Sequence, residues 1–333
     1  MKRLLIFSLL ISGWMISLYP ADPPLQDTTN HYFEDLTHLL SLKLFTLNKA
    51  SLLDLINADK DRITLRPNGS TNLGVGFNYR SIGMAISFGL PRAQSNIEKY
   101  GQTTRLDVQI SYFGKRIGLD GFLQGYKGYY MVNPEDYVDW HNPYYPQNQD
   151  LQVISFGANA FYIFNHKKFS YKAAYLRTMV QKKSAGSFSS GIFFHSDVVK
   201  SDSGLIPQDV NDYIWADFNL KDFNAFSIGL SAGYQYTLVV KENFFISLQA
   251  TPGLGYRRLF TESLDHQTGD VNELAWKFLA RFSVGYEFKH FYVGAMGSTI
   301  FRNIKYNSYT IDLGTEQFRI IVGKRFDVNR KKP

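Results

Sequence analysis

The chain has 333 residues, 20% of them charged, a formal net charge of +7 and no cysteine. The missing thiols exclude a disulfide framework and a lipid-modified cysteine. Beyond the first twenty residues nothing approaches the ~20 consecutive apolar residues of a spanning helix, whereas 22 Tyr and 27 Phe suit the aromatic girdles of a transmembrane β-barrel.

Residues 1–21 read as an export signal. Lys2 and Arg3 form its charged start and Leu4 to Leu18 its apolar stretch. Tyr19 and Pro20 match the small-residue cleavage rule poorly, so a retained anchor is the alternative. Residues 22–60 read as an N-terminal linker. Within it Leu36, Leu39, Leu40, Lys43 and Leu47 suit a helical face, but the alternation of Leu40, Leu42 and Leu44 with Ser41 and Lys43 favours a first strand over Leu40 to Leu47.

Residues 61–326 carry the main signal, a period of two. Leu73, Val75, Phe77 and Tyr79 alternate with Gly74, Gly76 and Asn78, and Ile82 to Leu90 repeat the pattern. Leu106, Val108 and Ile110 are expected to face lipid, with Arg105, Asp107 and Gln109 inward. Ile154 to Phe164 and Phe226 to Leu238 alternate in the same way. Phe278, Phe282 and Val284 are assigned to lipid, Lys277 and Arg281 to the lumen. A last strand through Phe318, Ile320 and Val322 ends at Phe326, ahead of a tail over 327–333. A second face rich in Gly, Ser, Asn and Gln suits a wet lumen better than the outer face of a soluble sandwich.

Tight turns are expected at Arg80-Ser81, Gly114-Lys115, Asn165 to Lys167, Lys241 to Asn243 and Lys289-His290. Long loops are expected at Pro91 to Gly101, Lys127 to Asp150, Ser201 to Lys221 and Thr261 to Val271. Short and long connections alternate as in outer-membrane barrels, except between Thr178 and Lys221. There either Tyr213 to Asn219 is a strand or Phe188 to Val198 is not a full crossing. The expected fold is all-β, a transmembrane antiparallel up-and-down β-barrel of about 12–14 strands.

Leu65-Arg66-Pro67-Asn68 followed by Leu73 to Tyr79, Tyr126 to Tyr130, Lys168 to Ala174, Gln181 to Phe188, Gly233 to Thr237 and Thr251 to Gly255 resemble a family of Gram-negative exported proteins known as domain of unknown function 4421. The resemblance spans most of the mature chain. It implies a barrel in the outer membrane and supplies no activity and no site residues.

Candidate sites come from the residues alone. Lys182 and Lys183 would bind an anionic ligand if their loop folds into the lumen; the alternative is a turn with Gly186 at positive φ and solvated lysines. Arg105, Asp107, Asp120, Gln124 and Lys127 would form a charged lumen cluster, either a solute surface or cross-strand ion pairs that plug the barrel. Asp107 would compensate Arg105, and Glu273 and Glu287 would compensate Lys277 and Arg281. Such mixed signs point to a plugged interior. Ser189, His195 and Asp197 share a face in the order of a hydrolase triad, although parity alone also places them there. Trp140, His141, Tyr144 and Tyr145 offer rings in a long loop for a glycan or an envelope protein, or simply cap the barrel. No histidine has metal-ligand spacing, and no cofactor is implied. Without a long basic tract, anionic lipid head groups are a better partner than nucleic acid. The expected protein is a monomeric outer-membrane barrel, non-enzymatic, a narrow channel or a structural and surface-binding protein. A lipid hydrolase or acyltransferase and a subunit of an envelope assembly are the alternatives.

Overall fold

Alternating strands in an apolar medium must pair every backbone group, and closing the sheet on itself achieves that. The computed structural model describes residues 32–328 except 70, 92, 212–214, 216 and 242. Residues 1–21 and Tyr213 therefore lie outside the described residues. The strands are β1 (Phe33–Asp35), β2 (Leu39–Ile56), β3 (Arg62–Pro67), β4 (Asn72–Tyr79), β5 (Ile82–Gly89), β6 (Thr104–Phe113), β7 (Ile117–Met131) and β8 (Gln147–Ile163). They continue as β9 (Met179–Gln181), β10 (Ala185–Lys200), β11 (Leu220–Val240), β12 (Phe244–Ser263), β13 (Thr268–Glu287), β14 (Phe291–Tyr306) and β15 (Tyr309–Asp327).

Antiparallel ladders run β2–β4–β5–β6–β7–β8–β10–β11–β12–β13–β14–β15 and return from β15 to β2. The result is a closed twelve-strand barrel, with β3 as the thirteenth member of the sheet. The closing ladder pairs Thr310 with Ile56 at one end and Asp327 with Leu39 at the other. The first strand predicted over Leu40 to Leu47 is thus a full crossing of 18 residues. Neither cause expected for the break in the loop pattern holds: β10 is a continuous 16-residue strand through Phe188 to Val198, and residues 215 and 217–219 are not in a strand.

Two connections differ from expectation. Asn165 to Lys167 is not a tight turn. It opens a segment from Phe164 to Ser184 that contains a π-helical turn (Lys172–Leu176) and β9. This segment plugs the turn end of the barrel, and β1 straps it by pairing Phe33 with Gln181. Thr261 to Val271 is not a long loop, because both arms extend into strands and Glu262 pairs with Thr268.

Outward side chains form an apolar belt. Leu106, Val108, Ile110, Phe278 and Phe282 are exposed, whereas Lys277 is 3% exposed. On β4 the inward positions are Asn72, Gly74, Gly76 and Asn78. Their glycines make room for neighbours: a Cβ on Gly76 would lie 2.6 Å from Lys43 Cε, and one on Gly74 would overlap the Phe45 ring. The small-residue face is therefore a packing surface for large side chains from the next strand, not the lining of a wet channel.

At the loop end the interior is apolar. Leu53 and Leu55 of β2, Leu65 of β3, Tyr129 of β7, Phe223 of β11 and Ile311 of β15 are fully buried there. Leu205, Ile206, Val210 and Phe218 from the β10–β11 connection cork this core.

The outward position of Val108 predicts that Val108→Arg costs ~2–4 kcal/mol if it lies near the bilayer midplane. Urea unfolding in lipid vesicles measures it, and no loss would refute the facing. The closing ladder predicts that truncation from Gln317 abolishes the heat-modifiable folded band on gels, whereas removal of residues 328–333 leaves it.

Candidate functional site in the lumen

Long cationic side chains project from the walls, and most reach a carboxylate or amide on a distant strand. Arg281 of β13 donates to Asp120 of β7 at 2.6 Å. Arg302 of β14 grips Asp197 of β10 with Nε at 3.0 Å and a terminal nitrogen at 2.9 Å. Lys49 of β2 meets Asp107 of β6 at 2.5 Å, and Lys277 donates to Asn159 of β8. Amides follow the same rule: Gln124 donates to Thr315 at 2.9 Å and Gln109 to Gln317 at 2.8 Å. These bonds cross the lumen rather than follow one ladder.

Three further pairs, on two glutamates, close the ends. Above the last β13–β14 pair, Lys277 with Arg302, the two strands separate. Arg257 fills that gap by donating to Glu273 at 2.7 Å and to the Asn303 carbonyl, while the Lys305 amide donates to Glu273 at 3.2 Å. At the turn end Glu287 accepts from Arg325 at 2.6 Å and Arg177 at 3.5 Å. Arg177 follows the π-helical turn in the left-handed region, φ 60°. The plug is fixed on several sides: Asn78 donates to the Leu176 carbonyl at 2.6 Å, Ser283 to Ala174 at 3.1 Å, and the Tyr171 hydroxyl to Ser189 at 3.2 Å.

Arg105, Asp107, Asp120 and Gln124 all face inward, as read from the sequence. The predicted pairings differ. Asp107 is bonded to Lys49 rather than Arg105, which reaches the Asn72 side chain at 3.0 Å and the Asn68 carbonyl at 2.9 Å. Glu273 and Glu287 serve Arg257, Arg177 and Arg325, not Lys277 and Arg281. Lys127 is exposed and points outward, because it shares parity with Leu123 rather than with Asp120 and Gln124. Lys182 and Lys183 do not enter the lumen. Lys182 is 3.0 Å from Glu34 and Lys183 sits 5.7 Å from the Tyr32 ring, so both help to hold the β1 strap. Gly186 is the second residue of β10, pairs with Tyr236 and is not among the glycines at positive φ.

The Ser189, His195 and Asp197 arrangement fails on distance. Six positions along a strand span roughly 20 Å, far beyond a hydrogen bond. Asp197 is taken by Arg302 and by Ser155 at 2.6 Å. His195 is buried between the Phe122 and Phe193 rings, and neither ring nitrogen has a protein partner. Among the described residues no cluster suited to a metal is present.

Sequence reasoning missed Arg177, Arg302, Arg319 and Arg325 as interior groups. For Arg302, Arg319 and Arg325 the even spacing from Ser298 or Gly323 was visible; Arg177 lies outside the strands, where parity gives no signal. Their partners lie over a hundred residues away or across the barrel, beyond any local pattern.

Outward apolar belt, inward charge and closed ladder define a transmembrane β-barrel with a filled interior. The chain belongs to the family described as domain of unknown function (DUF4421), whose model matches residues 26–326. No curated protein matches it. Among solved structures it is similar to the outer membrane protease OmpT of Escherichia coli, at 8% identity and TM-score 0.35, covering 90% of this chain and 98% of that one. It is also similar to the toluene transporter TodX of Pseudomonas putida, at 8% identity and TM-score 0.25, covering 86% and 90%. Neisserial surface protein A gives 8% identity and TM-score 0.25, covering 85% and 97%. At these values the likenesses carry no argument about activity.

The buried Arg302–Asp197 pair predicts that Arg302→Met alone destabilises the barrel by about 3–5 kcal/mol, because Asp197 is left charged and partnered only by Ser155. The double replacement Arg302→Met with Asp197→Leu should recover most of that loss. A double-mutant cycle of urea unfolding in vesicles checks both, and a double variant as unstable as the single one would refute the account.

Proposed function

We propose that this protein is a monomeric outer-membrane barrel that neither conducts nor catalyses in its resting state, and that acts through its loop end. The observation that carries this reading is closure at three levels. The apolar core corked by Leu205, Ile206, Val210 and Phe218 fills the loop end. Cross-lumen pairs such as Arg281–Asp120 and Arg302–Asp197 occupy the middle. The π-helical plug with Phe169, Tyr171 and Leu176 fills the turn end. An anion pore would line itself with unpaired Arg and Lys along a continuous path, and three stacked seals oppose that design.

The loop end offers surfaces for a partner. Tyr100 and Tyr145 stack at 5.3 Å with an interplanar angle of 15°, and Tyr130 and Lys99 lie against them. Trp140 donates to the Tyr144 carbonyl at 2.7 Å, and Tyr144 remains exposed. Ring faces held this way suit the apolar faces of a glycan or an envelope protein. Anionic lipid head groups remain the proposed partner of the outward lysines, Lys127 among them.

Planar-bilayer recording of the refolded protein tests the reading. Little or no steady conductance is expected. Large, stable single-channel currents from the wild-type protein would overturn it and promote the channel.

A further inference from the structure

A lumen cavity of about 100 Å³ lies between the π-helical turn and the middle layer of ion pairs, lined by Lys43, Ser111, Asp120, Tyr175, Arg281, Arg319 and neighbours. That volume is well above the ~10–15 Å³ that admits one water. Its charges do not balance. Asp120 is already bonded to Arg281 at 2.6 Å and to Ser111 at 2.7 Å. Lys43 donates only to the Asn78 side chain, at 3.1 Å. Arg319 uses one terminal nitrogen on the Gln109 and Gln317 side chains, at 2.6 and 3.0 Å. Its Nε–H is buried without a partner.

Elsewhere in the lumen the rule is a carboxylate for nearly every Arg. Arg319 breaks it, and Lys43, like Lys277, meets only an amide; both line the same cavity from neighbouring strands whose register pairs Lys43 with Gly323 and Leu47 with Arg319. Leaving two cations in a closed barrel without counter-charge is costly. Gly76 leaves room for the Lys43 stem, since a Cβ there would lie 2.6 Å from Lys43 Cε and from the Met84 carbonyl oxygen. Ser298 and Gln317 add neutral polar groups to the wall.

We propose that this cavity binds one small inorganic oxyanion, of the phosphate or sulfate class, held by Lys43 Nζ and the Arg319 guanidinium. An oxyanion supplies acceptors to both cations that line the cavity, and charge-assisted hydrogen bonds favour that pairing. Chloride offers neither the size nor the several oxygens. The anion is a structural counter-ion within the closed barrel, so the proposal stands apart from the role of the loop end.

Calorimetric titration of the full refolded chain in neutral detergent tests it, with sodium phosphate in chloride buffer. One arm adds phosphate during refolding and dialyses it, and the other adds it afterwards. One saturable site is expected in at least one arm, displaced by sulfate and not by chloride. Lys43→Met and Arg319→Gln should each weaken it at least tenfold, with folding checked by heat-modifiable migration. Replacing Lys182 and Lys183 by Met should leave it unchanged. Should the charge variants fail to fold, Ser298→Leu, which fills the cavity and keeps both cations, must weaken binding equally. No saturable phosphate site in either arm overturns the proposal. So does affinity unaltered in the lumen variants, or affinity lost with Lys182 and Lys183.

Discussion

The structure depends on one constraint: a charge inside a closed barrel has little water to solvate it and must find its partner across the lumen. Desolvating a lone Arg or Asp costs several kcal/mol. Neighbours along a ladder are mostly Gly, Ser or rings, so apart from Arg257 and Glu273, which lie opposite each other on adjacent strands, the partner comes from farther round the wall. Arg281–Asp120 and Arg302–Asp197 join strands that are four or five places apart around the ring. Each pair is then a strut as well as a neutralised charge. Its net worth against an apolar filling is small, but it admits only the arrangement in which both ends meet. A barrel wall is otherwise free to shear and flatten. Struts at several heights fix its cross-section.

The struts need a surface to lie on, and the sequence supplies it in a repeated order of glycine, ring and cation. Phe45 lies over Gly74 and carries Arg319 at 5.2 Å. Phe245 lies against Gly285 and carries Arg177 at 3.8 Å. Phe193 packs on Gly229 and carries Lys277 at 4.3 Å. Tyr292 covers Gly323 and carries Arg325 at 4.9 Å. A glycine in a strand costs backbone entropy and packs nothing itself. A ring from the next strand restores the lost contact, and its face then attracts the cation. A Cβ at these glycines would displace the ring and misplace the charge above it.

Much of the fold was legible because parity is local. Facing follows from residues two apart, so Leu106, Val108 and Ile110 were assigned to lipid, and Arg105, Asp107 and Gln109 to the lumen, without any distant information. The candidate site was legible only as a set of inward charges. Which charge meets which depends on stagger and curvature, and Arg281 lies 161 positions from Asp120. One readable signal was overlooked, a change of phase. On β15, Ile311 and Leu313 are odd and buried, whereas Phe318, Ile320 and Val322 are even and exposed. On β2, Leu42 and Leu44 face out while Leu53 and Leu55 face in. The apolar side moves from lipid to interior where the strand leaves the membrane, so the flip marks depth.

That flip also explains the uneven wall. β4, β5 and β6 have only 8 to 10 residues, about the number a tilted strand needs to cross a bilayer. β11, β12 and β13 have 20 or 21 and continue well beyond it. Above β4–β6 the shorter β3 bridges β2 to β7 directly, pairing Leu65 with both Leu53 and Met131. The joint between β3 and β4 is held by Asn68, whose side chain donates to the Gly101 carbonyl at 2.7 Å and whose amide donates to Thr103 at 2.8 Å. Outside the membrane there is no lipid to cover apolar side chains, so the extension must bury them inward as a soluble barrel does. The loop-end core is therefore a consequence of tall strands. A tall wall without that core would expose its apolar face to water, and a core without the tall wall would have nothing to enclose it.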